Sequence, residues 1–293
     1  LSHLRVSAGS VAPMNAQNFV IVGAGLAGAK TAEHLRDSGF EGEVTVIGDE
    51  PSRPYERPPL TKAILLGKHD VDVHVHPEQW YAEHDVDLRL GVAVVALDPA
   101  RHVVSLADGT EVAFDKLAIT TGARPRRLKA PGADLAGIHY LRTLEDAQRI
   151  RALFDEVGAL AVVGGGWIGL EVAAAARRAG VDVTVIEAAP LPLAGVLGPR
   201  MAAVFADLHR ENGVRLELGT GVEGFEGDAT VRGVRLADGR VIAADAVVVG
   251  VGIAPNVELA QAAGLDVDNG ILTDEHLRTS HADVFAAGDV ANA

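Results

Sequence analysis

The reading of this chain turns on Phe19-Val20-Ile21-Val22-Gly23-Ala24-Gly25-Leu26-Ala27-Gly28. Four apolar residues run into a glycine-rich turn, and beyond it Leu26, Ala29, Ala32 and Leu35 fall at helical spacing until Gly39 stops the pattern. Val44-Thr45-Val46-Ile47 then reads as a second, β-branched strand. Strand, turn, helix and strand make a βαβ unit whose first turn has the spacing of a dinucleotide fingerprint. There the first glycine makes the turn and the second admits a diphosphate to the backbone. The third lets helix and strand pack closely, and the helix N-terminus favours the negative charge.

One such turn is a weak signal, but this one comes twice. Leu160 to Val163 lead into Gly164-Gly165-Gly166-Trp167-Ile168-Gly169, a helix over Leu170 to Ala179 follows, and Val183-Thr184-Val185-Ile186 nearly copies Val44 to Ile47. The repeat extends further. Hairpins are expected about Asp108-Gly109 and Asp238-Gly239, where tight primed turns take both residues at positive φ. Each hairpin precedes an apolar strand ending in glycine, Leu117 to Gly122 and Ala246 to Gly250. Pro199 to Asn212 reads as a helix with Met201, Val204, Phe205 and Leu208 on one apolar face and Gly213 as its stop. The expected fold class is α/β with two Rossmann-like dinucleotide-binding domains, and the domain crossings are expected near Gly122 to Pro125 and Ala254 to Asn256.

Composition narrows the chemistry. The 293 residues carry a formal net charge of −14 and no cysteine. An acidic chain is a poor match for nucleic acid or an anionic membrane surface. Without cysteine the chain offers no disulfide, no thiolate metal site and no catalytic thiol. Val157 to Ala176 is apolar apart from Glu171, but its three consecutive glycines argue against a membrane span. Residues 1–15 read as an upstream tail with Met14 the natural start, no secretory signal is visible, and a cytoplasmic location is expected.

Acids placed by the repeat are the first candidate ligands. Glu187 ends the second strand of the second unit, where a carboxylate would hold an adenosine ribose; in the first unit Gly48 takes that position and Asp49 follows one residue late. No cation follows Glu187 until Arg200, which favours NADH over NADPH. Glu171 lies at the start of a helix continuing Val172-Ala173-Ala174-Ala175-Ala176, a setting that calls for a cationic partner beyond simple dipole compensation. Arg53-Pro54-Tyr55-Glu56-Arg57-Pro58-Pro59-Leu60-Thr61-Lys62 offers one.

With these residues in place the chain resembles the FAD-dependent, NADH-linked ferredoxin reductases that serve Rieske-type oxygenases and haem monooxygenases, relatives of glutathione reductase. Arg57 to Lys62, Gly164 to Glu171, Gly250 to Asn256 and Thr279 to Asp289 carry the resemblance, which runs from about Asn18 to the last residue. It implies an FAD domain over residues 16–122 and 255–293, interrupted by an NAD domain over 123–254. It also implies further chain beyond Ala293, with a C-terminal interface domain absent here. Gly23, Gly25, Ala27, Gly28, Asp49, Arg57, Val94, Arg142 and Asp289 match family positions around FAD, with Lys62 beside flavin N5 and ion-paired with Glu171. Gly164, Gly166, Trp167, Ile168, Gly169, Glu187 and Gly252 would hold NAD, Trp167 standing where relatives place an aromatic gate to the nicotinamide pocket. Core packing beside the turn is its plainer reading.

The implied activity is hydride transfer from NADH to flavin and single-electron delivery to a small iron–sulfur ferredoxin, by a monomer or weak dimer. Lacking cysteine, the chain cannot relay electrons as disulfide reductases or thiol peroxidases do. A rubredoxin reductase, quinone reductase or nitrite-reductase module remains open, as does a redox sensor without turnover. Arg124, Arg126, Arg127 and Lys129 could steer an acidic ferredoxin or form a solvated linker. His74 and His76, with His69 nearby, read as alternation on a short strand rather than a metal site.

Overall fold

The computed structural model describes residues 17–68 and 71–293, so the expected N-terminal tail and His69 lie outside the described residues. The chain divides into two units. The first holds residues up to Arg53, His76–Thr121 and Val257–Ala293, and the second holds Pro54–Val75 and Gly122–Asn256.

In the first unit a five-stranded sheet runs in the order Val284–Ala286, Lys116–Ile119, Asn18–Val22, Glu43–Ile47, Val86–Arg89, with every pairing parallel. Parallel strands need crossover connections, and the helix Leu26–Asp37 provides the first by burying Ala29 and Ala32. Strand residues Val20, Ile21, Val22, Val44, Val46 and Ile47 are buried, as expected of a sheet covered on both faces. The second unit repeats the plan in the order Arg215–Leu218, Asp182–Glu187, Ala159–Val163, Ala246–Val249, Ile138–Tyr140, again all parallel. Val157 to Ala176 is thus the central strand, glycine turn and helix Trp167–Arg178 of this unit, and among the described residues no helix is long and apolar enough to cross a membrane.

Each unit carries a three-stranded antiparallel meander: Val94–Asp98, Val103–Leu106 and Glu111–Ala113 in the first, Val222–Gly227, Val231–Leu236 and Val241–Ala243 in the second. Their tight turns differ from the primed form the Asp-Gly pairs suggest. Only Gly109 and Gly239 have positive φ, both 88°. Leu106 N–H donates to Thr110 O and Gly109 N–H to Leu106 O, the pattern of an ordinary turn closed by a glycine bulge. Asp108 stays at negative φ and its carboxylate accepts from Thr110 N–H at 2.9 Å.

Two further expectations change. The helix Ala194–Glu211 has a break at Gly198, and beyond it Ala202 and Ala206 make the buried face while Met201, Val204 and Leu208 are exposed. Its apolar stripe therefore points outward except at Phe205, which is half-buried against the core. Pro54–Val75, expected within the first domain, joins the second unit. The reason is burial: Tyr55, Leu60, Leu65 and Val73 enter the same core as Ile150, Phe154, Leu170 and Val172. The chain thus passes between the units at 53/54 and 75/76 as well as at 121/122 and 256/257.

Candidate functional site

The two glycine turns are built alike. In the first, Gly23 (φ 116°) donates its N–H to Ile47 O, and a Cβ there would lie 2.3 Å from Thr120 O; in the second, Gly164 (φ 108°) donates to Ile186 O, and a Cβ would lie 2.3 Å from Gly250 O. At Gly28 and Gly169 a Cβ would fall 2.0 Å from the carbonyl oxygen of Gly23 and Gly164 respectively. Only the middle glycines, Gly25 and Gly166, face open space, and both are helix N-caps without a capping side chain. The free N–H groups of each helix start are therefore reachable at the one glycine whose missing side chain leaves a gap.

Around the first turn the same unit assembles Ala27 and Gly288, where a Cβ on Gly288 would meet the Ala27 methyl at 2.9 Å, so the exposed Asp289 follows directly on a loop against the helix start. Asp49 is exposed just past the second strand, and Val94 opens the meander opposite Leu106. Gly48 cannot carry the acid found at Glu187, since a Cβ there would meet the Ala24 methyl at 2.4 Å.

In the second unit Glu187 turns back onto the glycine turn, its Oε2 accepting from Gly165 N–H at 2.5 Å and its Oε1 from Ala189 N–H at 2.8 Å. Trp167 and Ile168, the first helical residues, are both exposed, and Trp167 packs T-shaped on Phe205 at 5.5 Å between ring centroids. A buried place for Trp167 is thereby ruled out. Gly252 (φ 100°) lies on the loop that ends in Ile253–Pro255.

Lys62 and Glu171 meet within this unit. Pro58 and Pro59 precede a short π-helical turn, Leu60–Ile64, that buries Leu60, Thr61 and Ala63 and leaves Lys62 outside. The Lys62 Nζ lies 2.9 Å from Glu171 Oε1 and donates to Oε2 at 3.1 Å. Thr61, buried, donates its hydroxyl to the same Oε2 at 2.5 Å. Sequence reasoning passed over Thr61; its place beside Lys62 on a segment already singled out was the available signal. Arg57 donates to the carbonyl oxygen of Arg142 and lies over the Tyr55 ring at 5.5 Å, while the Tyr55 hydroxyl accepts from Leu144 N–H at 3.0 Å. Arg57, Lys62 and Arg142, which the resemblance assigns to FAD, thus stand on the unit that carries Glu171.

The basic run is not a slack linker. Ala123–Pro125 pairs antiparallel with Ile253–Pro255, Arg124 donates to Asn256 Oδ1 at 2.9 Å, Arg126 donates to Ile253 O at 2.8 Å, and Arg127 covers the Tyr140 ring at 4.8 Å. The histidines also separate: His74 Nδ1 lies 2.6 Å from Asp72 Oδ1 in the second unit, whereas His76 is buried in the first and stacks on Trp80 at 4.0 Å. Burial holds the His76 imidazole below its usual pKa, with Glu33 working against that shift.

Residues 17–293 match the family model described as pyridine nucleotide-disulphide oxidoreductase. The chain belongs to this family. Among curated pyridine nucleotide-disulphide oxidoreductases, rhodocoxin reductase of Rhodococcus erythropolis is 46% identical over 276 residues, which are 94% of this chain and 65% of that protein. A crystal structure of a ferredoxin reductase from Rhodopseudomonas palustris superposes with TM-score 0.91 at 38% identity, and that of a covalent putidaredoxin reductase–putidaredoxin complex with 0.90 at 43%. In both cases 94% of this chain covers 68% of the solved one. The chain thus spans about two thirds of the length of the relatives it matches. The family's cofactors, FAD and NAD(H), are dinucleotides. The open middle glycines fit a diphosphate in each unit, and Glu187 at the second turn fits a ribose.

Proposed function

We propose that the protein takes hydride from NADH through bound FAD and passes electrons singly to a small iron–sulfur ferredoxin. The observation that carries this reading is the Lys62–Glu171 ion pair, set on the helix that the second glycine turn begins, in a chain with no cysteine. When bound, the flavin supplies hydride acceptance and stepwise electron release, which no side chain here can provide. The first glycine turn, with Asp49 and Asp289, would hold FAD by its diphosphate and hydroxyls. The second, with Glu187, holds NADH, and a carboxylate at that position disfavours a ribose 2′-phosphate.

Glu171, fixed by the Thr61 hydroxyl, keeps the Lys62 ammonium in one place, where it would offer positive charge to a bound flavin. By the family resemblance, Arg57 and Arg142 would be further cations available to a bound flavin cofactor. Arg124 and Arg126 are held by Asn256 and Ile253, and with the exposed Arg127 and Lys129 they offer positive charge to an acidic partner. The names of the relatives support the reading, since rhodocoxin reductase and putidaredoxin reductase are named for their electron acceptors.

The deciding experiment is NADH-dependent cytochrome c reduction by the flavin-loaded protein, with and without added ferredoxin. Reduction that depends on ferredoxin is expected. A long-lived complex with NADH and no turnover, with ferredoxin present, would refute the reading and favour a redox sensor.

A further inference from the structure

Trp167 stands at the mouth of the second glycine turn, exposed at 46%, and its ring packs T-shaped against that of Phe205 at an interplanar angle of 88°. Phe205 comes from the helix Ala194–Glu211, after its break at Gly198. One turn later on that helix, His209 places Nδ1 2.9 Å from Phe205 O and Nε2 3.3 Å from Leu170 O. Leu170 directly precedes Glu171, so the imidazole sits between the carbonyl of the residue carrying the aromatic brace and the helix that carries Trp167, and a neutral ring, with its single N–H, donates to one of these two oxygens and packs against the other. The same stretch of chain is tied back once more where Leu193 N–H donates to Gly165 O at 3.0 Å. Helix Trp167–Arg178 is therefore braced near its start by a hydrogen bond to the glycine turn, an aromatic edge and a histidine. Phe205 and His209 are offered by a helix whose Met201, Val204 and Leu208 face away.

We propose that Phe205 and His209 are positioning residues that park the Trp167 indole beside the turn, clear of the path of an entering nicotinamide ring. Phe205 orients the indole by its edge, and His209 fixes the spacing of the two helices so that the edge contact is kept. The proposal rests on the reading of Trp167 as the aromatic at the nicotinamide pocket. Loss of the brace would let the indole wander across the site and compete with nicotinamide, without touching the diphosphate or adenosine contacts at Gly166 and Glu187. An edge-to-face pair biases a side-chain population by roughly two- to tenfold, which sets the scale of the effect.

The test uses the full chain in a Trp80→Phe background, where Trp167 is the sole tryptophan. Acrylamide quenching of its fluorescence is measured without any cofactor, and affinities for NADH and for ADP-ribose, which lacks the nicotinamide, are measured on the flavin-loaded protein with its flavin already reduced chemically, so that NADH binds without passing hydride. Phe205→Leu and His209→Leu are expected to raise the quenching constant by about twofold or more and weaken NADH by a similar factor, leaving ADP-ribose unchanged. Phe205→Tyr, which keeps the ring edge, restores both. Unchanged quenching in Phe205→Leu overturns the brace. Raised quenching with NADH and ADP-ribose weakened equally, or neither weakened, overturns the nicotinamide role along with the reading of Trp167. Failure of the parent protein to bind either nucleotide would sink the functional reading, while quenching would still report on the brace.

Discussion

Two alanine substitutions three residues apart should behave as opposites. At Gly166 the backbone sits at φ −78° and ψ −179°, open to any residue, and a Cβ meets nothing within 4 Å. Alanine there removes unfolded-state freedom at no steric cost, worth about 0.4–1 kcal/mol of added stability. At Gly169 the Cβ falls 2.0 Å from the Gly164 carbonyl oxygen, and a main-chain atom cannot rotate aside as a side chain would. Overpacking of this kind costs about 1–3 kcal/mol or more. In a unit of roughly 160 residues each kcal/mol moves Tm by about 2–4 °C, so Gly169→Ala should melt roughly 2–12 °C lower while Gly166→Ala melts no lower than the parent. NADH binding should separate the pair the other way. The new methyl of Gly166→Ala fills the gap through which a diphosphate reaches the helix N–H groups, and losing even one charge-assisted hydrogen bond there weakens binding by about tenfold. Thermal melts followed by circular dichroism and an NADH titration measure both quantities. Equal losses of Tm in the two variants, or full NADH affinity in Gly166→Ala, would refute the assignment of the turn.

Lys62→Ala should slow reduction of the bound flavin by NADH by roughly tenfold or more in rapid-mixing experiments, and an unchanged rate would remove Lys62 from the mechanism. Thr61→Val deletes the buried hydroxyl that donates to Glu171 and should destabilise by about 1–3 kcal/mol, whereas Thr61→Ser should hold within a few tenths; urea unfolding distinguishes them. His76, with its pKa lowered by burial, binds fewer protons folded than unfolded. Its contribution to stability is whole above pH 6.5 and is lost as pH falls through the folded value, so the parent should lose stability below pH 6.5. His76→Phe, which keeps a ring against Trp80, should flatten that slope, and an unaltered pH dependence of Tm would dismiss His76 as its source.

Much of the fold could be read directly because the glycine turns are local. Each lies within a few residues of the strand and helix it joins, and steric limits leave Gly23 and Gly164 little choice. The all-parallel sheets followed from that repeat. What escaped reading depends on contacts distant in sequence. Nothing local to Pro54–Val75 says which core Leu60 and Leu65 enter, and two prolines before a π-turn hide helical spacing. The outward stripe of Met201, Val204 and Leu208 misled for a related reason: apolar spacing defines a face, while the small Ala202 and Ala206 were the residues able to sit close to the sheet. At the site, Glu171 was conspicuous as a lone charge in an apolar run, and Thr61 was not, since a threonine beside a lysine has no unusual composition. Its hydroxyl gains meaning only once the carboxylate is 2.5 Å away.

The visit of Pro54–Val75 to the second unit bears on how the molecule can be taken apart. A fragment cut at the last two crossings, residues 122–256, would keep its glycine turn, its Trp167 and its Glu171, yet would lack the lysine that pairs with that glutamate and the leucines that close its core. Dissection, or transplantation of this unit into another protein, has to carry the upstream strip along as a separate graft. The strip is also made by the ribosome well before the helix it serves, so Lys62 waits, on an unfinished core, for Glu171 to be synthesised. The pair that carries the proposed chemistry therefore forms only once both parts of its unit are in place.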